Sequence, residues 1–317
     1  MHPLLANKTA RRLFDNQTTR ALQMAMANDD YHRDRISPIN RNLAGFRWLI
    51  ASNRGLFAVD TTGYKRVMRG WFFGLCRNDD NLFIFENCGL WKRSEFLGRI
   101  LRFDLRSGLL ANGKVIVKEL DNQCHQIRIL NGLLCVVDTG NQRIRRFTLD
   151  GEHVDDPAPF PIAPLSDRSG AYRHINSIAK VGDRIGIMCH NGGSDIERKS
   201  AVAWLDENWR VIEETEIDGH NCHDIALDPD GSVWHSASKE GAILSGDGRR
   251  IEVADERMTR GLAVSESHIA IGLVILAPRD QRRSKGGGSG DPRPIERRAR
   301  FGQASVIANR HRGIITG

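Results

Sequence analysis

Within residues 124–151 the apolar side chains fall in three short runs, at 127–130, 133–137 and 144–149, and a turn signal closes each run. The turns are Asn131-Gly132, Asp138-Thr139-Gly140-Asn141 and Asp150-Gly151. Runs this short have the length of strands, and Asn-Gly between two of them favours a tight hairpin whose twist matches its strands. The stretch predicts an antiparallel meander. A meander of this kind needs copies of itself as neighbours, so the rest of the chain is read for repeats.

The same order of inner strand, turn, second strand and third strand recurs elsewhere. Residues 71–85 give two strands, 98–108 a third and 114–119 an outer fourth. Residues 174–188 lead to 201–206 and 210–217, and residues 223–235 lead to 242–247 and 250–254. Residues 260–275 supply two more strands before the pattern breaks. The inner strands are spaced by roughly 40 to 50 residues, as the blades of a propeller are. The line running from Val137-Asp138-Thr139-Gly140-Asn141 through Arg143-Ile144 and Phe147 to Asp150-Gly151 also resembles the NHL repeat, and that resemblance implies a β-propeller.

Residues 46–69 return to strand character and match the second and third strands of the central repeat, with no inner strand ahead of them. A closing blade completed by C-terminal strands would read this way and gives five blades; a blade of its own over 46–69 would give six. The expected organisation is an N-terminal helical arm over 1–36 and an all-β propeller over 37–317. Residues 278–300 are rich in Gly, Pro and Arg without apolar periodicity, and are expected to be a mobile basic insertion before strand character resumes at 301–316.

The 317 residues suit one propeller, and 40% apolar with 27% charged residues is ordinary globular composition. Much of the net charge of +7 sits in the C-terminal basic segment, so no nucleic-acid footprint is expected. Six cysteines without a CxxC pair read as reduced core residues of a cytoplasmic protein. No apolar run has the length of a signal peptide or a spanning helix, so no membrane partner is expected.

In a propeller the starts of the inner strands meet at the central channel although they lie far apart in sequence. Those starts hold His125, then Tyr172, His174 and Asn176, then Asn221 and His223, and last Arg260. Phe72 or Phe73 holds the corresponding place in the first blade. Three neutral imidazoles make a ligand set for zinc, iron or manganese with a position open to substrate. His125, His174 and His223 are therefore the expected metal ligands, with His190, His220 and His235 in reserve and Asn176 and Asn221 as cofactor-binding amides. Arg260 would pair with a negative charge and Tyr172 would move a proton. Glu86 and Asp138 end second strands and offer a further acid or base, although an Asp in Asp-Thr-Gly-Asn more commonly accepts N–H bonds in its own turn.

Histidines from separate blades beside an arginine and a tyrosine resemble the peptidyl-hydroxyglycine amidating lyase domain, whose histidines hold zinc. The segments Ile175-Asn176-Ser177-Ile178-Ala179 and Cys222-His223-Asp224-Ile225-Ala226 are similar to an inner-strand turn of SMP-30 type gluconolactonases, which hold calcium. His223 stands where a hard oxygen ligand is needed, which favours a softer metal. The function expected is a metal-dependent lyase or hydrolase acting on a small polar or anionic molecule. The alternative is a propeller without chemistry that binds a protein or an anionic ligand.

Overall fold

A computed structural model describes residues 17–274, apart from 37, 53, 61, 90–95, 165, 193–197, 229, 254–257 and 265–267, together with 304–308. Residues 1–16 of the arm and the 278–300 insertion lie outside the described residues. The helix α1 (Gln17–His32) comes first, followed by β1 (Arg41–Asn42), β2 (Trp48–Ser52), β3 (Gly55–Val59) and β4 (Tyr64–Met68). The first full meander is β5 (Phe72–Arg77), β6 (Asn81–Asn87), β7 (Gly98–Arg106) and β8 (Leu109–Leu120), with β1 added on its outer edge. The second is β9 (Cys124–Leu130), β10 (Leu133–Asp138), β11 (Arg143–Phe147) and β12 (His153–Asp155). The third is β13 (Ile175–Val181), β14 (Arg184–Cys189), β15 (Lys199–Leu205) and β16 (Val211–His220). The fourth is β17 (His223–Leu227), β18 (Val233–Ala237), β19 (Ala242–Ser245) and β20 (Arg250–Glu252). Then come β21 (Met258–Val264) and β22 (Ile269–Val274), paired as a two-stranded sheet, and last β23 (Ala304–Ala308).

The strand β23 pairs antiparallel with β2, opposing Leu49 to Ile307 and Ile50 to Val306, so the closing blade runs β23-β2-β3-β4. That is the split blade expected from the missing inner strand before 46–69. Five sheets of four or five strands are thus the blades, and β21–β22 stands in the ring between the fourth and the closing one. No helix among the described residues is long and apolar enough to cross a membrane.

The core lies between blades, because each sheet is apolar on both faces. Phe83, Phe85 and Ile100 of the first blade interlock with Ile127, Leu134 and Val136 of the second. Cys135, Val137 and Ile144 on the opposite face of that second sheet meet Ile178, Ile187 and Ala203 of the third. Trp234 and Ile243 of the fourth blade meet Leu262 of β21, and Ala263 of β21 meets Ile50 and Phe57, which closes the ring. Each such Leu, Ile or Phe contributes roughly 1.5 to 3 kcal/mol by leaving water. The turn Asn131-Gly132 has φ values of 49° and 78°, the left-handed pair that a tight hairpin between Leu130 and Leu133 requires.

The helix α1 and the residues after it are held to the first blade by a buried arginine. Arg99 is 2% exposed and donates from Nε to Glu86 Oε2 at 2.9 Å, with Nη2 2.8 Å from the same oxygen. Its Nη1 and Nη2 reach the carbonyls of Asp30 at 3.2 Å and Arg35 at 3.0 Å. Glu86 therefore fixes the arginine that anchors the arm. Asp138 also turns out to be structural, since its carboxylate accepts from Asn141 Nδ2 at 2.9 Å and from Arg143 Nε at 2.9 Å.

Candidate active site

Side chains reach the channel end because the inner strands are irregular there. Strand pairing slips between Phe72 and Gly74, between Ile175 and Ser177, between His223 and Ile225 and between Thr259 and Leu262, and in the second blade opposite His125 and Gln126. An extra residue at such a bulge re-aims its neighbours. His174 precedes β13 with φ of 50°, and Asn221 precedes β17 with φ of 54°.

Four imidazoles form a continuous row. The ring centroids of His125 and His174 are 5.6 Å apart, those of His174 and His190 4.4 Å, and those of His190 and His223 4.7 Å. All three histidines expected as ligands are thus brought together, and the reserve His190 stands between two of them. It follows β14 directly, and its N–H donates to the His174 carbonyl at 3.3 Å, which ties the two backbones. The other reserves lie apart from the row: His220 pairs with Glu240 at 2.7 Å and His235 Nε2 faces the Asp218 carbonyl at 3.0 Å.

Hydrogen bonds decide which nitrogen carries the proton on two of the rings. His223 Nδ1 lies 2.7 Å from the Asn221 carbonyl and 3.0 Å from Ser238 Oγ, while the Ser238 hydroxyl donates to the Thr259 carbonyl at 2.6 Å. A carbonyl only accepts, so His223 Nδ1 is the donor and its Nε2 keeps the lone pair. That Nε2 is buried and finds no hydrogen-bond partner among the described residues. His125 repeats the device: its Nδ1 lies 2.6 Å from the Gln123 carbonyl, again two residues back, which leaves Nε2 as the base. Neither ring nitrogen of His190 finds a well-formed hydrogen bond among the described residues.

Burial first, and then the Arg260 cation, lower the pKa of His125 to about 4 and that of His190 to about 3. The same two causes hold His223 well below the usual imidazole value. These imidazoles are neutral at physiological pH. Arg260 is thereby placed within electrostatic reach of these rings. Asp224 in turn lies in the field of Arg260; burial raises its pKa to about 6, and its Oδ2 receives the Gly261 N–H at 2.8 Å.

Tyr172 is buried, packs edge-on against the His174 ring at 5.6 Å and donates its hydroxyl to the Thr139 carbonyl at 3.4 Å. Asn176 commits its carboxamide to the scaffold: Nδ2 donates to the Cys222 carbonyl at 2.9 Å and Oδ1 accepts from the Ser177 hydroxyl at 3.0 Å. Asn221 acts through its backbone carbonyl on His223. Of Phe72 and Phe73, expected at the corresponding place in the first blade, the structure takes Phe72 out of the row. Phe72 is fully buried in the core against the closing blade, and Phe73 packs on Trp71 and Phe85.

Sequence reasoning passed over Asp224, Ser238, Gln126 and Arg128. The signal that finds some of them is the pair Cys124-His125-Gln126-Ile127 and Cys222-His223-Asp224-Ile225, which share Cys-His-x-Ile. Among the described residues, no three His, Cys, Asp or Glu side chains are already grouped around a metal-sized point. The chemistry of the donors nevertheless suits one, since neutral imidazoles with free Nε2 lone pairs are the ligand form.

Fold and site together define a β-propeller with a histidine row at its channel. No family model matches the chain, and no curated protein matches it. Among solved structures, one of a nidogen/laminin complex is similar over 83% of this chain and 98% of that chain, at 12% identity and a TM-score of 0.53. A virginiamycin B lyase from Staphylococcus aureus is similar over 73% of this chain and 68% of that one, at 14% identity and a TM-score of 0.43. A periplasmic gluconolactonase from Pseudomonas aeruginosa is similar over 72% and 76%, at 12% identity and a TM-score of 0.48. The likeness is one of fold, and these neighbours are β-propeller proteins.

Proposed function

We infer that the channel end is the active site of a lyase or hydrolase acting on a small polar or anionic molecule. The observation that carries this reading is the matched fixing of His125 and His223. Each donates Nδ1–H to the carbonyl two residues before it, and each is left with an Nε2 lone pair. A propeller scaffold has no need to repeat that device on two blades. Depressed imidazole pKa values favour ligation over general-base work, because a base is most effective with a pKa near the working pH.

His125, His174 and His223 are the residues that would hold a divalent zinc, iron or manganese ion, and His190 is placed to join or replace one of them. The ion would supply a Lewis acid and lower the pKa of a bound water. Arg260 steadies negative charge on the substrate. Tyr172, fixed against His174, orients that ring. The six free, buried cysteines suit a reducing, cytoplasmic location, which belongs to the same proposal.

Elemental analysis of untagged protein beside His223→Ala tests the assignment. Near-stoichiometric metal that is lost in the variant is the expected result. Metal at full content in the variant overturns the ligand set, and no metal in either protein after reconstitution moves the reading to a binding propeller without chemistry.

A further inference from the structure

Beyond the bulge at His125 the strand β9 resumes regular pairing, with Val136 opposite Ile127, Cys135 opposite Arg128 and Leu134 opposite Ile129. Alternation then separates two faces. Ile127 and Ile129 pack into the core shared with the first blade, while Gln126 and Arg128 share the other face.

Arg128, which is partly buried, differs from Arg99, Arg143 and Arg145. Arg99 has Glu86 and two carbonyls, and Arg143 and Arg145 share Asp156. The Arg128 guanidinium makes no hydrogen bond and no ion pair with any described residue. Its electrostatic neighbours are Cys76, a thiol kept protonated by burial, and Asp224. Cys76 lies on β5 of the first blade and Asp224 on β17 of the fourth, so the field of Arg128 reaches both blades. The Asp224 carboxylate is shared with Arg260 and already receives the Gly261 N–H. Desolvation weighs on the Arg128 cation and lowers its pKa. Arg128 is partly buried, and a partly desolvated charge without a close counter-ion gains by taking an anionic partner.

A second donor stands beside it. Gln126 Oε1 accepts the Ile178 N–H at 2.7 Å, which fixes the carboxamide and leaves its NH₂ group without a bond to any described residue. A guanidinium fork with an amide donor next to it on one strand face matches a planar, two-oxygen anion.

We propose that Arg128 and Gln126 form an anion site inside the channel that binds a carboxylate group of the ligand. This rests on the channel being the ligand space, as in the reading above, and not on the metal. The site would hold the charged end of a small carboxylic acid and leave its other end toward the imidazole row.

The test uses metal-stripped full-length protein, so that it stands apart from the metal assignment. Thermal unfolding and calorimetric titration are run with acetate, malonate, phosphate and chloride at constant ionic strength. Saturable stabilisation by the carboxylates over chloride is expected, with affinity at least tenfold weaker in Arg128→Met. Gln126→Glu keeps the acceptor for the Ile178 N–H and places an internal carboxylate beside Arg128. It is expected to raise thermal stability and abolish the carboxylate response, and it decides the matter if Arg128→Met does not fold. Wild-type protein that responds to no anion beyond chloride overturns the site, as does either folded variant with wild-type affinity. Tighter binding of phosphate than of either carboxylate overturns the carboxylate assignment.

Discussion

His125 and His223 occupy the same step of two different blades, and each sends its Nδ1–H to the carbonyl two residues earlier, Gln123 at 2.6 Å and Asn221 at 2.7 Å. Among the described residues only His223 of the two has a second acceptor, Ser238 Oγ at 3.0 Å, which the Thr259 carbonyl holds in place by accepting the serine proton. The orientation of that ring thus depends on a residue with no contact to ligand. Ser238→Ala is expected to leave the fold intact and weaken metal affinity about 10- to 100-fold, the usual cost of losing a group that orients a ligand histidine. Chelator competition measures it. Unchanged affinity would mean that the Asn221 carbonyl alone fixes the ring.

The buried pair of Arg99 and Glu86 ties stability to the position of the arm. Removing one partner of such a pair leaves the other charge without compensation, so Arg99→Met is expected to cost about 3 to 5 kcal/mol in chemical denaturation. Two carbonyls of the arm, those of Asp30 and Arg35, lose their donor in the same change. Faster amide exchange across residues 25–36 should therefore accompany the loss. Destabilisation without that local change would show that the arm is held instead by Tyr31 and Ala27 against Cys88.

Asp167 sets the approach to Tyr172 and His174. Its carboxylate accepts the Tyr172 N–H at 3.1 Å, the Ser169 hydroxyl at 2.8 Å and the Gly170 N–H at 2.9 Å, and these bonds hold its pKa far below the usual carboxylate range. A depressed folded-state pKa gives stability that is present above the unfolded value of about 3.9 and is lost as pH falls toward the folded one. Protection of the Tyr172 amide is expected to hold constant from neutral pH down to about 4 and to fall below that. Asp167→Asn should flatten this dependence. Hydrogen exchange read by NMR checks both, and a loss of protection between pH 5 and 7 would point to a different titrating group.

Much of the architecture was written in turn signals. The hairpin at Asn131-Gly132, the third strands and the missing inner strand before 46–69 all led to elements found in the structure, because local backbone chemistry decides them. The site was legible to the extent that it followed the repeat. His125, His174 and His223 converge because the starts of inner strands converge. His190 was harder to rank, since it follows a second strand and enters the row only because His174, with its positive φ, lies where the His190 N–H can reach its carbonyl. Arg128 was not legible at all, and Asp224 showed only as the variable position of Cys-His-x-Ile. Their relation runs between β9 and β17, and a bulge shifts the alternation that would have shown which face each occupies. Phe72 departs for a related reason, since the slip between Phe72 and Gly74 sends it into the core.

Ring closure rests on a pairing between strands far apart in sequence, in which β23 lies along β2 from Trp48 opposite Ala308 to Ser52 opposite Ala304. Without β23 the backbone groups of β2 that face the ring would be left as an open sheet edge, the kind of surface that recruits strands from other chains. A chain ended at residue 300 is expected to unfold at lower urea and to self-associate in light scattering. A synthetic peptide covering 301–317 should reverse both effects, because an added strand supplies the same main-chain bonds in trans. Rescue must fail when Val306 of the peptide, paired with Ile50, is replaced by proline, which breaks the ladder without removing the rest of the segment. A truncated chain that stays monomeric with an unchanged urea midpoint would show that the contacts of β21 with the closing blade, through Ala263, Ile50 and Phe57, are enough to hold the ring shut.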